Sequence, residues 1–215
     1  MMPRLATCGL LVILALVAGC AGRLAHMREL PAEPAIAQPD PGKATVLFMR
    51  PSGLGFAIAS SVFELARDGD RFVGIVPAKK KLAYSVAPGK TRFMVVSEAA
   101  DFMDAELVAG KTYYVVVAPR MGFWKARFSL RPVGAERLGT EEVADWLKEC
   151  APIENTDDSR AWAKEHWADI QEKKLKYLQE WEAKADKPIL SPADGRWRSL
   201  GQGHPLRHPA QWYSR

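Results

Sequence analysis

The sequence predicts a mainly β protein: a small β-sandwich of seven or eight strands, followed by a C-terminal α-helical extension. Three observations carry this reading. Short runs of β-branched and aromatic residues recur between Thr45 and Val133, at roughly the 8–12-residue spacing of sandwich strands. The dipeptides Asp68-Gly69, Pro88-Gly89 and Ala109-Gly110 punctuate those runs as turns. From Thr140 onward the apolar spacing changes from two to three and four, the period of a helix.

The N-terminus comes first. Arg4 precedes an uncharged, mostly aliphatic run, Leu5 to Val17, which ends in the small residues Ala18 and Gly19 before Cys20. A run of about 13 apolar residues falls short of the roughly 20 that a spanning helix needs. A buried core helix is the other alternative, and the terminal position behind an Arg speaks against it. The Val17-Ala18-Gly19-Cys20 ending resembles the lipobox of bacterial lipoproteins. That resemblance implies a cleaved signal peptide over 1–19 and a Cys20 acylated on both its thiol and its amine. Several acyl chains together hold a protein stably to a bilayer. Ala21, where inner-membrane retention typically shows Asp, implies an outer-membrane lipoprotein facing the periplasm.

Residues 20–42 contain Pro31, Pro34, Pro39 and Pro41 and almost no apolar pattern. They read as a tether. In extended polyproline geometry, about 3.1 Å per residue, it would reach about 70 Å.

Residues 43–135 read as the sandwich. Strands are predicted near Thr45–Arg50, Ser61–Arg67, Arg71–Val76, Lys81–Ala87, Thr91–Ser97, Met103–Val108, Thr112–Ala118 and Lys125–Val133. The last alternates: Lys125, Arg127, Ser129 and Arg131 point one way, Ala126, Phe128 and Leu130 the other, as on a half-buried strand. Val115-Val116-Val117 is apolar on both faces, as expected of a central strand covered on both sides. Val46-Leu47-Phe48-Met49-Arg50-Pro51, Val86-Ala87-Pro88-Gly89-Lys90, Ala109-Gly110-Lys111-Thr112-Tyr113-Tyr114-Val115 and Arg120-Met121-Gly122-Phe123 occur here in order. Together they resemble a family of bacterial lipoproteins with a PEGA-like or immunoglobulin-like sandwich, a domain of unknown function. The resemblance implies a fold and no activity.

Residues 139–186 read as helical. Thr140 is a predicted N-cap, with Glu141 and Glu142 in the first turn to suit the helix dipole. Val143, Trp146, Leu147 and Cys150 then follow at helical spacing, and Pro152 stops the helix. A second helix is predicted from a cap at Asp157 or Asp158 as far as Pro188, about 42 Å long. Trp162, Ala163, Trp167, Ile170, Tyr177, Leu178 and Trp181 form its apolar stripe, longer than a small sandwich can cover. Residues 187–215 read as a basic, disordered tail.

Charge and composition narrow the function classes. The formal charge is +5, and residues 187–215 alone carry a net +4. A neutral body with a basic tail lacks the basic face of a nucleic-acid-binding domain. With Cys8 in the signal and Cys20 acylated, Cys150 stands alone, so no internal disulfide is expected. On an apolar helical face it reads as a small hydrophobe. Gly89-Lys90-Thr91 and Gly110-Lys111-Thr112 lack the earlier glycine and following helix of a phosphate loop, and read as hairpin turns. His204 and His208 are spaced for one metal, but Pro205 and Pro209 oppose the helix this needs. Asp101, Asp104 and Glu106 read as solvated strand residues, and His166 as a boundary residue of the long helix. No cofactor, metal site or catalytic activity is expected.

Two apolar loops are the candidate sites: Pro51 to Ser60, with Leu54, Phe56 and Ile58, and Pro119 to Trp124, with Met121, Phe123 and Trp124. Loops are usually polar, so exposed apolar loops mark a binding surface. Alternatively, the C-terminal helices cover them. The candidate interaction surface is therefore Phe56, Met121, Phe123, Trp124, Trp162, Trp167 and Trp181. The expected function is a membrane-anchored structural or protein-interaction module of the cell envelope, held to the membrane through Cys20, with an envelope protein as partner. The alternative is a glycan- or cell-wall-binding module, with the loop aromatics as platform and Arg50 and Arg120 as polar donors.

Overall fold

A computed structural model describes residues 26–31, 40, 42–120 and 127–197. The expected signal segment, Cys20 and His204/His208 lie outside the described residues. The strands are β1 (Met27–Glu29), β2 (Ala44–Arg50), β3 (Ser61–Ala66), β4 (Gly69–Ile75), β5 (Lys80–Val86), β6 (Gly89–Val96), β7 (Ala100–Leu107), β8 (Lys111–Arg120), β9 (Arg127–Pro132), β10 (Ala151–Asn155), β11 (Ile189–Leu190) and β12 (Arg196–Trp197). The helices are α1 (Glu141–Glu149), α2 (Asp157–Glu165) and α3 (Trp167–Glu182).

Two mixed sheets result. The larger runs β1–β10–β5–β2–β8, and β12 and β9 share the far edge of β8. The smaller runs β11–β7–β6–β3–β4. Alternation along each strand sorts side chains into three apolar layers. Val46 and Phe48 of β2, Phe93 and Val95 of β6, and Val115 and Val117 of β8 meet between the sheets. There Phe48 and Phe93 pack edge-on, with centroids 5.3 Å apart. The alternate residues Leu47, Met49 and Val116 face outward under α1, against Val143 and Cys150. Phe63, Met94 and Phe102 face outward from the smaller sheet against Ile170 and Trp181 of α3. The described residues therefore stack as helix, sheet, sheet, helix. Residues of β2 are buried along their whole length because both faces are covered. Gly74 lies where the sheets close on each other: its φ is +153°, and a Cβ there would sit 2.3 Å from the Leu82 side chain.

The eight strands expected over 43–135 correspond to β2 through β9. Four more lie outside that range. Residues in the expected tether form β1, antiparallel to β10; residues in the expected tail form β11, parallel to β7, and β12, antiparallel to β8. Within the expected helical region, β10 pairs parallel to β5. The carboxyl-terminal part is thus woven into both sheets rather than appended.

The single long helix expected from Asp157 is two helices. Thr156, not Asp157 or Asp158, caps the first through a reciprocal pair of bonds with Ser159. The chain breaks at His166 (φ −91°, ψ 7°), so α3 can turn across the smaller sheet. The break brings the stripe onto its partner: Ala163, Ile170 and Trp181 are buried, and Trp162, Tyr177 and Leu178 pack against the core.

Candidate functional site

A cleft of about 350 Å³ opens where α2 and α3 cross the end of the smaller sheet, a size within the range of small-ligand pockets. Trp162 and His166 come from the α2–α3 junction, Asp169 and Lys173 from the first turns of α3. Ile58 and Ala59 come from the loop between β2 and β3, and His26 from the chain entering β1. Apolar Ile75, Val96 and Ile170 line it too.

Its aromatic groups are already engaged. The His166 ring stacks on Trp162 with centroids 4.6 Å apart and planes 21° apart. His166 Nδ1 lies 2.9 Å from the Trp162 carbonyl, and His26 lies tilted at 6.4 Å from the indole. Lys173 donates to Asp169 at 2.9 Å and to the Ser97 carbonyl at 2.8 Å. His26 Nδ1 is buried without a partner among the described residues. The arrangement offers an apolar floor and a rim carrying both signs of charge.

The loop 51–60 borders this cleft and is ordered by one side chain. Arg50, the last residue of β2, is fully buried. Its Nη2 donates to the carbonyls of Gly55 at 2.6 Å and Leu54 at 3.1 Å, and its Nη1 to the carbonyl of Ile58 at 2.9 Å. The guanidinium lies over the Phe128 ring at 4.3 Å. Burial pushes its pKa down to about 10. Arg50 is therefore not a donor for an external ligand, as the sequence suggested; it is spent on the loop. Arg120 likewise is held at 3.2 Å by Asp101. That acid is not solvated: it is buried, and Lys184 reaches it at 3.1 Å.

The expected surface residues separate. Phe56 is 73% exposed at the loop tip, with Leu54 at 54%. Trp167 is 38% exposed and leans edge-on against Phe63 at 6.1 Å. Trp162 is half-buried in the cleft wall. Trp181 is 1% exposed and does not belong to a surface: Phe102 packs on it at 5.7 Å, and Arg92 lies over its ring at 4.4 Å. The turn of the chain at His166 is what draws it into the core. Met121, Phe123 and Trp124 lie outside the described residues.

No protein-family model matches this chain, and no curated protein matches it. Among solved structures, it is similar to an NMR structure of a protein from Eubacterium rectale, at 13% identity and a TM-score of 0.30. The match covers 45% of this chain and 94% of that one.

Sequence reasoning missed the cleft because its walls come from segments far apart in the chain. His26 lies in a stretch read as tether, and His166 in a helix read as continuous. The one local signal was Arg50: a lone cation closing an apolar strand immediately before a Pro- and Gly-containing apolar loop.

Proposed function

We propose that this protein is a lipid-anchored envelope module that works by binding another envelope protein rather than by catalysis. The anchor reading rests on Arg4, the apolar run to Val17 and Cys20 in its lipobox-like setting, and on the resemblance to bacterial lipoproteins. It implies the periplasmic side of the outer membrane, attachment through Cys20 and no nucleic-acid partner. The observation that carries the binding reading is the cleft under α2 and α3, with its mixed-charge rim and apolar floor. Such a surface suits a protruding side chain with a polar end.

Among the described loop residues the glycan alternative keeps one open aromatic, Phe56 at the loop tip, and no second face beside it. A sugar ring needs an open aromatic face. His166 covers one face of Trp162, while Phe102 and Arg92 enclose Trp181.

The test is a photo-crosslinking residue in place of Asp169, whose side chain is 57% exposed on the cleft rim. In living cells, reproducible capture of one envelope protein is expected. Capture of cell-wall glycan instead would favour the alternative. Crosslinks only within the chain would refute the cleft as a recognition site.

A further inference from the structure

We infer that the loop 51–59 docks on a lipid surface: Leu54 and Phe56 enter the interface of the same bilayer that holds Cys20. This inference rests on the lipid-anchor reading above and adds to it an orientation and a second membrane contact.

The covalent reach from the anchor to the described domain is short. Six peptide links separate Cys20 from His26, which span about 20 Å at full extension. From His26 to Leu30 the chain is tied down. The Thr156 hydroxyl donates to the His26 carbonyl at 2.7 Å, Met27 is buried, and the Leu30 amide donates to the Pro152 carbonyl at 2.9 Å. The 70 Å stalk suggested by the prolines would let the domain float free. A leash of about 20 Å places the end of the domain that carries His26 against the headgroups. His26 lines the same cleft as Ile58 and Ala59, so that end also carries the loop.

The loop is suited to a lipid interface. No residue from Pro51 to Ala59 is charged. Its two large exposed side chains are Leu and Phe, types that interfacial elements bury among headgroups and acyl chains. Backbone groups entering such a region need partners within the protein. Here the carbonyls of Leu54, Gly55 and Ile58 accept from Arg50, the Leu54 amide donates to Ser52 Oγ at 3.1 Å, and the Ile58 amide donates to the Gly55 carbonyl at 2.9 Å. The buried guanidinium thus leaves the loop tip apolar in its side chains and gives three of its carbonyls a partner within the protein.

The experiment uses the full acylated chain with Phe56→Cys carrying an environment-sensitive fluorophore. Cys150 is buried and shielded from label. The chain is reconstituted into vesicles of phosphatidylethanolamine and phosphatidylglycerol with brominated acyl chains. The control is Ala87→Cys, which is exposed and follows Val86, the partner of Ala44 at the far end of β2 from the loop. Quenching and a blue shift at residue 56, with neither at residue 87, are expected. Mass spectrometry of the mature N-terminus accompanies every sample. Acylated Cys20 with equal, unquenched emission at both positions would overturn the docking loop and leave the anchor standing. An unmodified N-terminus and no vesicle association would overturn both.

Discussion

Replacing Arg50 with Met tests whether one buried cation orders the exposed loop. Three of its contacts are irreplaceable: the carbonyls of Gly55, Leu54 and Ile58, at 2.6, 3.1 and 2.9 Å. The Val76 carbonyl is not among them, because Ser60 Oγ already donates to it at 2.6 Å. Hydrogen bonds from charged donors contribute about 1.5–3 kcal/mol each, so the three together amount to about 6 kcal/mol. Against this stands the cost of burying the charge. The lowering of its pKa to about 10 corresponds to about 3 kcal/mol against the charged form. Met keeps an apolar stem of similar length but loses the guanidinium's contact with the Phe128 ring. The expected loss is therefore about 3 kcal/mol, a large share of the 5–15 kcal/mol typical of a domain. Urea unfolding followed by tryptophan fluorescence measures it, with amide exchange at Ile58 reporting on the loop. A midpoint equivalent to less than about 0.5 kcal/mol of change, with the Ile58 amide still protected, would refute the reasoning.

Three further outcomes follow from side chains already described or lying beside them. Trp181→Ala should cost about 3–5 kcal/mol, and Trp181→Phe far less, since the indole Nε1 has no hydrogen-bond partner among the described residues; equal losses in urea melts would contradict that packing. Lys79 donates to Glu149 at 2.7 Å and holds its carboxyl below the usual 4.5. That small stabilisation is present above the unfolded pKa and is lost as pH falls through the lowered folded value. NMR titration should show Lys79→Met returning Glu149 toward 4.5; no change would rule out the pair. Burial raises the pKa of the Cys150 thiol, so peptide mapping should find it unlabelled by iodoacetamide until urea unfolds the chain. Rapid native labelling would show that α1 does not cover it.

Much of the fold was legible, and the reason is local. Each strand from β2 to β9 is a short run of β-branched and aromatic residues between turn signals, β9 shows its own alternation, and Val115-Val116-Val117 is apolar on both faces. Thr140 does accept from the Val143 amide, at 3.4 Å, as its place before two Glu suggested. What was not legible depends on partners remote in sequence. β1, β11 and β12 are two or three residues long, too short to show a period. β10 carries Pro152, which reads as a breaker and here sits within a strand. The break at His166 has no Gly or Pro to mark it. Asp101 looked solvated because burial of an acid depends on cations supplied by other elements, here Arg120 and Lys184. At the candidate site, Phe56 was picked out as an apolar residue in a loop and is exposed. The cleft beside it exists only once His26, Trp162 and Lys173 converge.

The pairing of β1 with β10 joins residues about as far apart as the core allows: Arg28 and Glu154 are 126 positions apart. The first strand of the domain to leave the ribosome therefore waits for almost the last. Until residues 151–155 arrive, one edge of β5 is bare and β1 has nothing to join. Contacts of such range close slowly, and an open edge recruits strands from other chains. A chain shortened before residue 151 would keep its eight-strand centre and still expose that edge permanently. For this protein, aggregation of truncated or half-made chains is a direct consequence of how the sheet is ordered.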